Sequence, residues 1–87
     1  MYEVELSAAA IADLDDFNEA EVQEILSLLL TWEENPKSEG VQAIPLEEAA
    51  DGMAYLYETD TYSIYYDIFE IAQVAKIVAI FKKISLN

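Results

Sequence analysis

Four side chains in the C-terminal part of the chain could take part in acid–base chemistry: Tyr62, Tyr65, Lys82 and Lys83. The sequence contains no histidine and no arginine, so proton transfer would depend on carboxylates, lysines and tyrosines with strongly shifted pKa values. A reaction that develops negative charge in its transition state would also need positive charge to stabilise it, and no guanidinium can supply that charge. The four residues are therefore candidate catalytic residues only for an atypical active site.

Three residues are candidates for contact with a protein partner: Ser63, Tyr65 and Lys82. In the stretch TYSIYYDIF, Tyr65 falls on the opposite side of the predicted strand from the even-numbered aromatic and aliphatic residues. We expect Tyr65 to be exposed, and an exposed tyrosine is more typical of an interface than of a catalytic site. The other tyrosines of this region are expected to lie in the core and on the sheet face, because aromatic residues favour strands.

Carboxylates are concentrated in two short stretches, residues 13–16 and residues 47–51. Neither stretch has the alternating oxygen ligands and the central glycine of a calcium loop. Without histidine or cysteine, a transition-metal site is also disfavoured. We predict that both stretches are solvated surface and that the protein uses no metal and no cofactor.

The N-terminal part of the chain predicts one strand and two helices. Residues 2–6 alternate apolar and acidic side chains, which is typical of a half-buried strand. Ser7 can cap a first helix over the stretch AAAIADLDDF, whose alanines favour helical structure. A second helix is predicted to begin at Asn18, which has the spacing of a capping box with Glu21, and to end before Pro36. The short link between them predicts a helical hairpin.

The remainder of the chain predicts strands. The segment VQAIPL is typical of a short edge strand, because its proline cannot donate to a ladder. Three longer strands are predicted over residues 53–58, 62–69 and 74–84, and the last is apolar on both sides, which favours a central position in the sheet. The predicted fold is a single α+β domain over residues 1–87, with an N-terminal strand, a helical hairpin and then an antiparallel three- to four-stranded sheet.

The charge of the chain is strongly acidic and unevenly placed. Four lysines stand against 18 carboxylates, so the net charge is −14. Residues 1–51 hold 14 of the acids and only Lys37, whereas residues 52–87 hold 4 acids and three lysines. Such a surface repels phosphate backbones and anionic lipid, which disfavours direct binding to nucleic acid or membrane. We find no apolar span of roughly 20 residues and no secretory signal, and we expect a cytoplasmic protein.

The order of one strand, two helices and a closing set of strands resembles the RelE/ParE superfamily of toxins from toxin–antitoxin systems. The resemblance rests on the stretch SAAAIADLDDF, the helix end ENP, the segment AIPL, the strand start DGMAYLYETD, and the stretches TYSIYYDI and KIVAIFKK. It covers nearly the whole chain and implies the RelE/ParE fold. It also implies a small antitoxin protein as partner, often with a helix laid in the groove between the sheet and the helical hairpin.

The resemblance does not extend to the basic residues of those toxins that cleave mRNA on the ribosome. In a family-like pattern, phosphate-binding arginines would fall on Leu56, Glu58 and Ser63 of this chain. Lys82 and Lys83 stand near the basic pair that usually ends the last strand, but neighbours on a strand are predicted to face opposite sides. This departure from the family pattern predicts a chain without ribosome-dependent mRNA cleavage.

We thus expect a divergent, acidic RelE/ParE-like protein that acts by binding an antitoxin or another cellular protein. An acidic chain favours a basic or strongly hydrophobic partner segment, and the near-neutral C-terminal half, with Tyr65, is the expected contact region. Two alternatives stay open: an active mRNA-cleaving toxin with a tyrosine–lysine site, and an acidic interaction module that mimics the charge of a nucleic acid. The sequence also leaves homo-oligomerisation open.

Overall fold

The computed structural model describes residues 1–84, in which two α-helices pack on one face of a five-stranded sheet. The helices are α1 (Ala8–Asp13) and α2 (Glu19–Thr31), with a 3-10 turn at Leu14–Asp16 between them. The strands are β1 (Glu3–Leu6), β2 (Val41–Pro45), β3 (Met53–Glu58), β4 (Tyr62–Phe69) and β5 (Val74–Lys82), and a second 3-10 turn, Ala50–Gly52, precedes β3. This is the predicted α+β architecture.

Both helices begin at side-chain caps. The Ser7 hydroxyl accepts the N–H of Ala10 at 3.0 Å and donates to the carbonyl of Val78 at 2.8 Å, so the cap of α1 is also tied to β5. At α2, the Asn18 side chain accepts the N–H of Glu21 at 2.8 Å, and the Glu21 carboxylate accepts the N–H of Asn18 at 2.9 Å. This reciprocal pair confirms the capping box that the sequence predicts.

The first helix is shorter than the sequence predicts. Its α-helical geometry ends at Asp13, and the 3-10 turn carries the chain to Asp16. The Asp13 carboxylate accepts the backbone N–H of Ile80 at 2.9 Å, which holds the end of α1 against β5. The predicted helical hairpin is thus one short and one long helix. In residues 1–84 no helix combines the length and the apolar composition that crossing a membrane requires.

The strands lie in the order β1-β5-β4-β3-β2. β5 is therefore interior to the sheet, which confirms the central position predicted for the last strand. That strand ends at Lys82 rather than at residue 84. β1 runs parallel to β5, with Glu3 opposite Val74, while the other neighbouring strands are antiparallel. The sheet is thus mixed, and the first strand closes it at one edge.

A β-bulge interrupts the pairing of β4 with β5. Tyr65 is opposite Ala79 and Tyr66 is opposite Ile77, so Val78 has no partner residue in β4. The extra residue shifts the alternation of β5, which then buries both Ile77 and Ile80. The bulge therefore decides which residues of this doubly apolar strand face outward.

The core lies between the helices and the face of β4 that points towards them, which we name the inner face. Tyr62, Ile64, Tyr66 and Ile68 are all buried there, as the alternation of the sequence predicts. From the helical layer, residues buried against them are Ala10, Phe17, Ile25, Leu29 and Trp32. The inner face of β4 is consequently occupied by packing and is not accessible to a partner.

Aromatic side chains are concentrated at one end of the core. The Trp32 ring stacks on Tyr66, with centroids 4.3 Å apart, and meets Tyr57 edge to face at 5.9 Å. Tyr55 packs against Tyr66 with centroids 5.7 Å apart. The Tyr66 hydroxyl donates to the backbone carbonyl of Pro36, so the loop after α2 is bound to the sheet. These contacts confirm that Tyr55, Tyr57 and Tyr66 serve mainly in packing.

Candidate functional site on the open face of the sheet

The face of the sheet that points away from the helices, which we name the open face, carries exposed apolar side chains. Alternation along β4 places Ser63, Tyr65 and Asp67 on this face, opposite to the buried residues of the same strand. The exposed apolar side chains on or beside it are Ile44, Leu46, Tyr65, Val78 and Phe81. A contiguous apolar surface of this kind is typical of an interaction site.

A groove of about 300 Å³ runs along the open face. Leu46 and Ala49, in the segment between β2 and β3, form one wall, and Tyr65, Val78 and Phe81 form the other. The rings of Tyr65 and Phe81 meet edge to face, with centroids 5.6 Å apart and planes at 78°. Tyr65 is 36% exposed and Phe81 is 54% exposed, so both rings present apolar area that a partner could cover.

The three positions at which the resemblance places arginines lie together on the open face. In the ladder between β3 and β4, Leu56 is opposite Tyr65 and Glu58 is opposite Ser63. The Ser63 hydroxyl donates to the Glu58 carboxylate at 3.2 Å, and the Lys83 ammonium lies 3.1 Å from the same carboxylate. The hydrogen bond from Lys83 lowers the pKa of Glu58. An ion pair thus occupies the place where the resemblance implies a group of cations.

Lys82 lies on the inner side of the sheet, across from Lys83. Its ammonium is 3.2 Å from the Glu21 carboxylate and 3.3 Å from the backbone carbonyl of Asp16. It also lies 5.6 Å from the centre of the Phe17 ring, in a cation–π contact. The two adjacent lysines therefore face opposite sides of the sheet, as the alternation of a strand predicts.

The four catalytic candidates are divided between the two faces. Tyr62 is 3% exposed on the inner face, where burial raises the pKa of its hydroxyl, and Lys82 lies on that side. Tyr65 and Lys83 lie on the open face. A raised pKa keeps a tyrosine protonated at neutral pH, which is unfavourable for a general base. The structure does not bring the four side chains into one arrangement.

The three partner-contact candidates are divided in the same way. Tyr65 and Ser63 share the open face, whereas Lys82 lies on the inner side. Ser63 is only 6% exposed and is hydrogen-bonded to Glu58, so it offers little area to a partner. Tyr65 is the candidate that the structure places in an accessible groove.

Sequence reasoning missed three groove residues: Leu46, Val78 and Phe81. β5 is apolar on both sides, so its alternation does not say which residues face outward, and the bulge at Val78 changes the count. The sequence contained one signal for Phe81. It is adjacent to Lys82 in a strand, so the two side chains must lie on opposite faces of the sheet. Leu46 comes from a separate segment, and nothing local in the sequence links it to β5.

A third lysine is also held by a carboxylate. Lys37 lies 3.0 Å from Glu70, which accepts a hydrogen bond from the Tyr2 hydroxyl at 2.8 Å. Both contacts lower the pKa of Glu70, with the bond from Lys37 the larger cause. In the part of the chain that the structure describes, ion pairs thus include Lys37, Lys82 and Lys83. No group of three carboxylates in residues 1–84 is placed to hold a metal ion.

The contact between Lys82 and Glu21 predicts a pH-dependent stability. Hydrogen bonds from the Asn18 backbone and from Lys82 lower the pKa of Glu21. Its contribution to stability is therefore present above the unfolded-state pKa, near 4.5, and is lost as the pH falls through the lower folded-state value. Replacing Glu21 by glutamine keeps an acceptor for Asn18 but removes the charge. We expect the variant to be less stable at pH 7 and to approach the stability of the wild type as the pH falls through the folded-state pKa of Glu21.

Urea denaturation at several pH values would measure this difference. Glu24→Gln, on the same helix, is the matched control, because it removes one negative charge without removing an ion pair. The quantity to compare is the stability of Glu21→Gln relative to Glu24→Gln. A difference between the two variants that stays constant from pH 7 to pH 3 would contradict the assignment to Glu21.

Comparison with solved structures places this fold among toxins of toxin–antitoxin systems. The chain superposes on the RelBE2 toxin–antitoxin complex of Mycobacterium tuberculosis with a TM-score of 0.79 and 16% sequence identity, covering 94% of this chain and 98% of that one. For the RelE–RelB complex of the archaeon Pyrococcus horikoshii, the TM-score is 0.80 at 17% identity, with 93% of each chain covered. For the intact E. coli RelBE complex, it is 0.74 at 15% identity, with 98% and 100% covered.

The sequence itself gives no such match. No model of a known protein family matches it, and no curated protein matches it. At identities of 15–17% the structural likeness establishes the fold, and this chain has the RelE-like toxin fold. That result confirms the fold expected from the resemblance of the strand and helix segments.

Proposed function

We propose that this protein is a toxin–antitoxin component of RelE type that binds a partner protein through the open face and does not cleave mRNA. The structural neighbours named above are RelE-type toxins in complex with RelB-type antitoxins, which supports an antitoxin-like protein as the partner. The proposal joins this likeness of fold to the chemistry of the open face, which differs from that of a phosphate-binding site.

One observation carries the proposed loss of cleavage. The three arginine positions implied by the resemblance hold Leu56, Glu58 and Ser63, and the neighbouring Lys83 is paired with Glu58 at 3.1 Å. A transition state at phosphorus needs positive charge that is aimed at the developing anion. A lysine already paired with a carboxylate, on a chain of net charge −14, offers little of it.

The groove supports the proposed binding role. Its exposed rings, Tyr65 and Phe81, are of the kind that anchor protein interfaces, where a few large side chains supply most of the affinity. The carboxylates beside it, which include Glu48 and Asp67, favour a partner helix that combines apolar residues with lysine or arginine. We therefore propose an amphipathic, basic helix of an antitoxin-like protein as the occupant of this groove.

A cleavage assay on ribosomes tests the enzymatic part of the proposal. Purified protein is added to ribosomes programmed with a defined mRNA, and new 5′ ends are mapped by primer extension, with an mRNA-cleaving toxin of the RelE family as positive control. We expect no cleavage above the level without protein. Cleavage that disappears in Lys83→Ala, or in Lys82→Ala, would contradict the proposal and support the atypical tyrosine–lysine site instead.

A binding assay tests the proposed partner interface in the groove of the open face. The probe is a capped amphipathic peptide of leucine and lysine, which has the chemistry proposed for the partner helix, and its affinity for the protein is measured by calorimetry. We expect Tyr65→Ser and Phe81→Ser each to weaken binding about tenfold or more, as truncation of an interface anchor does. Ile71→Ser is the matched control, because Ile71 is fully exposed in the β4–β5 turn, outside the groove. Equal effects of all three variants would contradict the placement of the interface.

A further inference from the structure

The two outer strands of the sheet differ in what their free edges offer. In β2, Leu46 donates to the carbonyl of Gly52, so by alternation the even-numbered residues bond to β3 and the odd-numbered ones face outward. Of those, Val41 donates to Ser38 within its own turn, and Pro45 has no N–H. Only Ala43 is left to donate at this edge. β2 is therefore a poor template for another strand.

The edge of β1 is different. Glu3 donates to Gln73 and Ser7 donates to Ile77, so the odd-numbered residues bond to β5. Val4 and Leu6 consequently direct their N–H and C=O groups away from the sheet, where no further strand lies in the described residues. The N–H of Tyr2, on the same edge, donates to the carbonyl of Glu33 at 2.7 Å, so the donors left at this edge are those of Val4 and Leu6. An edge with two such donors and their carbonyl acceptors can accept a short added strand.

A second apolar groove, of about 320 Å³, runs beside this edge. Val4 and Leu6 form its floor, and the flank of α2 forms its wall through Leu26 and Leu30, which are 37% and 64% exposed. These two leucines broaden the apolar face of α2 beyond what the core uses. A strand added to β1 would direct every second side chain into this groove.

The opposite side of the same edge is acidic. Glu3 and Glu5 alternate with Val4 and Leu6, so they lie on the other face of the sheet, and both are exposed. Side chains of an added strand that do not enter the groove would stand beside these two carboxylates. Lysine or arginine at those positions would pair with them, whereas acidic residues would be repelled.

We propose that the free edge of β1 binds an extended segment of a partner protein, with alternating apolar and basic residues, as a sixth strand. A second copy of this chain does not fit, because pairing β1 with β1 would set Glu3 and Glu5 against the same residues of the other copy. The inference rests on the proposed protein-binding role and not on the proposed absence of mRNA cleavage. It adds a contact on the acidic half of the chain, apart from the groove of Tyr65.

A synthetic peptide tests this edge directly. The probe is a capped nine-residue peptide of alternating valine and lysine, titrated into the full ¹⁵N-labelled chain and followed by amide shifts and hydrogen exchange. We expect exchange at Val4 and Leu6 to slow about tenfold or more when the peptide is bound, because their N–H groups become hydrogen-bonded. The Glu3 and Glu5 amides, already directed to β5, are the internal reference. Unchanged exchange at Val4 and Leu6 would overturn the proposal.

Two further peptides separate strand addition from simple charge attraction. A scrambled peptide of the same composition keeps the charge but loses the alternation, and a valine–glutamate peptide keeps the alternation but reverses the charge. We expect both to bind at least tenfold more weakly than the valine–lysine peptide. Equal binding of the scrambled peptide, or shifts confined to Tyr65 and Phe81, would overturn the proposal, since the attraction would then not be to the β1 edge.

Variants of the chain provide the matched test. Glu3→Lys combined with Glu5→Lys should weaken the valine–lysine peptide and strengthen the valine–glutamate peptide, each about tenfold. Leu30→Gln removes apolar area from the wall of the groove and keeps a residue that favours a helix. Ile71→Gln makes a similar change at an exposed site away from the groove and serves as its control. If the double substitution leaves the affinity of both peptides unchanged, the proposal is overturned. Binding of these peptides is measured without ribosomes. Failure of strand addition at β1 can therefore be distinguished from failure of the proposed absence of mRNA cleavage.

Discussion

Replacing Trp32 with alanine should lower the free energy of unfolding by about 3–5 kcal/mol, the usual cost of removing a buried aromatic ring from a core. Trp32 is fully buried and packs against the rings of Tyr57 and Tyr66. At about 0.05–0.15 kcal/mol per residue, a chain of this length has a total stability of about 4–13 kcal/mol. The variant would therefore lose about a quarter or more of the total stability if that lies at the upper end of this range, and nearly all of it if that lies at the lower end. Urea denaturation followed by circular dichroism is the measurement.

Trp32→Phe is the informative companion variant. In the described residues the indole Nε1 is buried without a hydrogen-bond acceptor, and phenylalanine removes this N–H while it keeps an aromatic ring. An unsatisfied buried donor costs about 1–3 kcal/mol, which offsets part of the lost packing. We expect Trp32→Phe to lower the free energy of unfolding by less than half as much as Trp32→Ala. Phe81→Ala, at a half-exposed ring, should cost less than either, and an equal cost at Phe81 and Trp32 would contradict the core described above.

Added salt should raise the melting temperature, by about 5 °C or more between 0.02 M and 0.5 M NaCl, which corresponds to about 1 kcal/mol for a domain of this size. At net charge −14 the folded chain repels itself, and salt screens this repulsion. Salt also weakens the three ion pairs, but these are exposed and contribute little. Calorimetry at pH 7 over a salt series would measure the balance. A melting temperature that falls with salt would show that the ion pairs dominate.

Glu34→Lys sharpens this test. Glu34 lies in the turn after α2, where its N–H donates to the carbonyl of Thr31, and an acidic residue close to the C-terminal end of a helix opposes the helix dipole. Reversing its charge should raise the melting temperature at low salt, and the gain should shrink at high salt. Glu34→Gln should give about half the effect at each salt concentration. A gain that is independent of salt would point to a cause other than charge.

The fold could be predicted wherever an element carries its own local signal. The pair Asn18 and Glu21 marks the start of α2, and strict alternation marks the inner face of β4 through Tyr62 and Ile64. The parallel pairing of β1 with β5 could not be predicted in this way, because it joins Glu3 to Val74 and leaves no mark in either strand. The break of α1 at Asp13 also went unpredicted, since the stretch after it remains rich in residues compatible with a helix.

The candidate site likewise combines features that have a local sequence signal with features that depend on distant segments of the chain. In the β3–β4 hairpin, which a short turn closes, Leu56, Glu58 and Ser63 share one face, and the last two are in contact. These three positions could be identified from the sequence, but that they lie together was not predicted. The groove beside them is built from segments far apart in the chain, and its outward residue Val78 depends on a bulge. The open edge of β1 was equally hidden, because an edge is defined by the strand order of the whole sheet.

The pairing of β1 with β5 has a consequence for synthesis on the ribosome. Val74, which pairs with Glu3, is added about 70 residues later, and at about 5–20 residues per second this takes about 4–14 s. During that interval Val4 and Leu6 have no strand on either side, so β1 is made before the other strands of the sheet but has to wait for the last of them to pair. A nascent chain held before residue 74 should therefore be more sensitive to proteases and more strongly bound by chaperones than one held after residue 84 has left the exit tunnel.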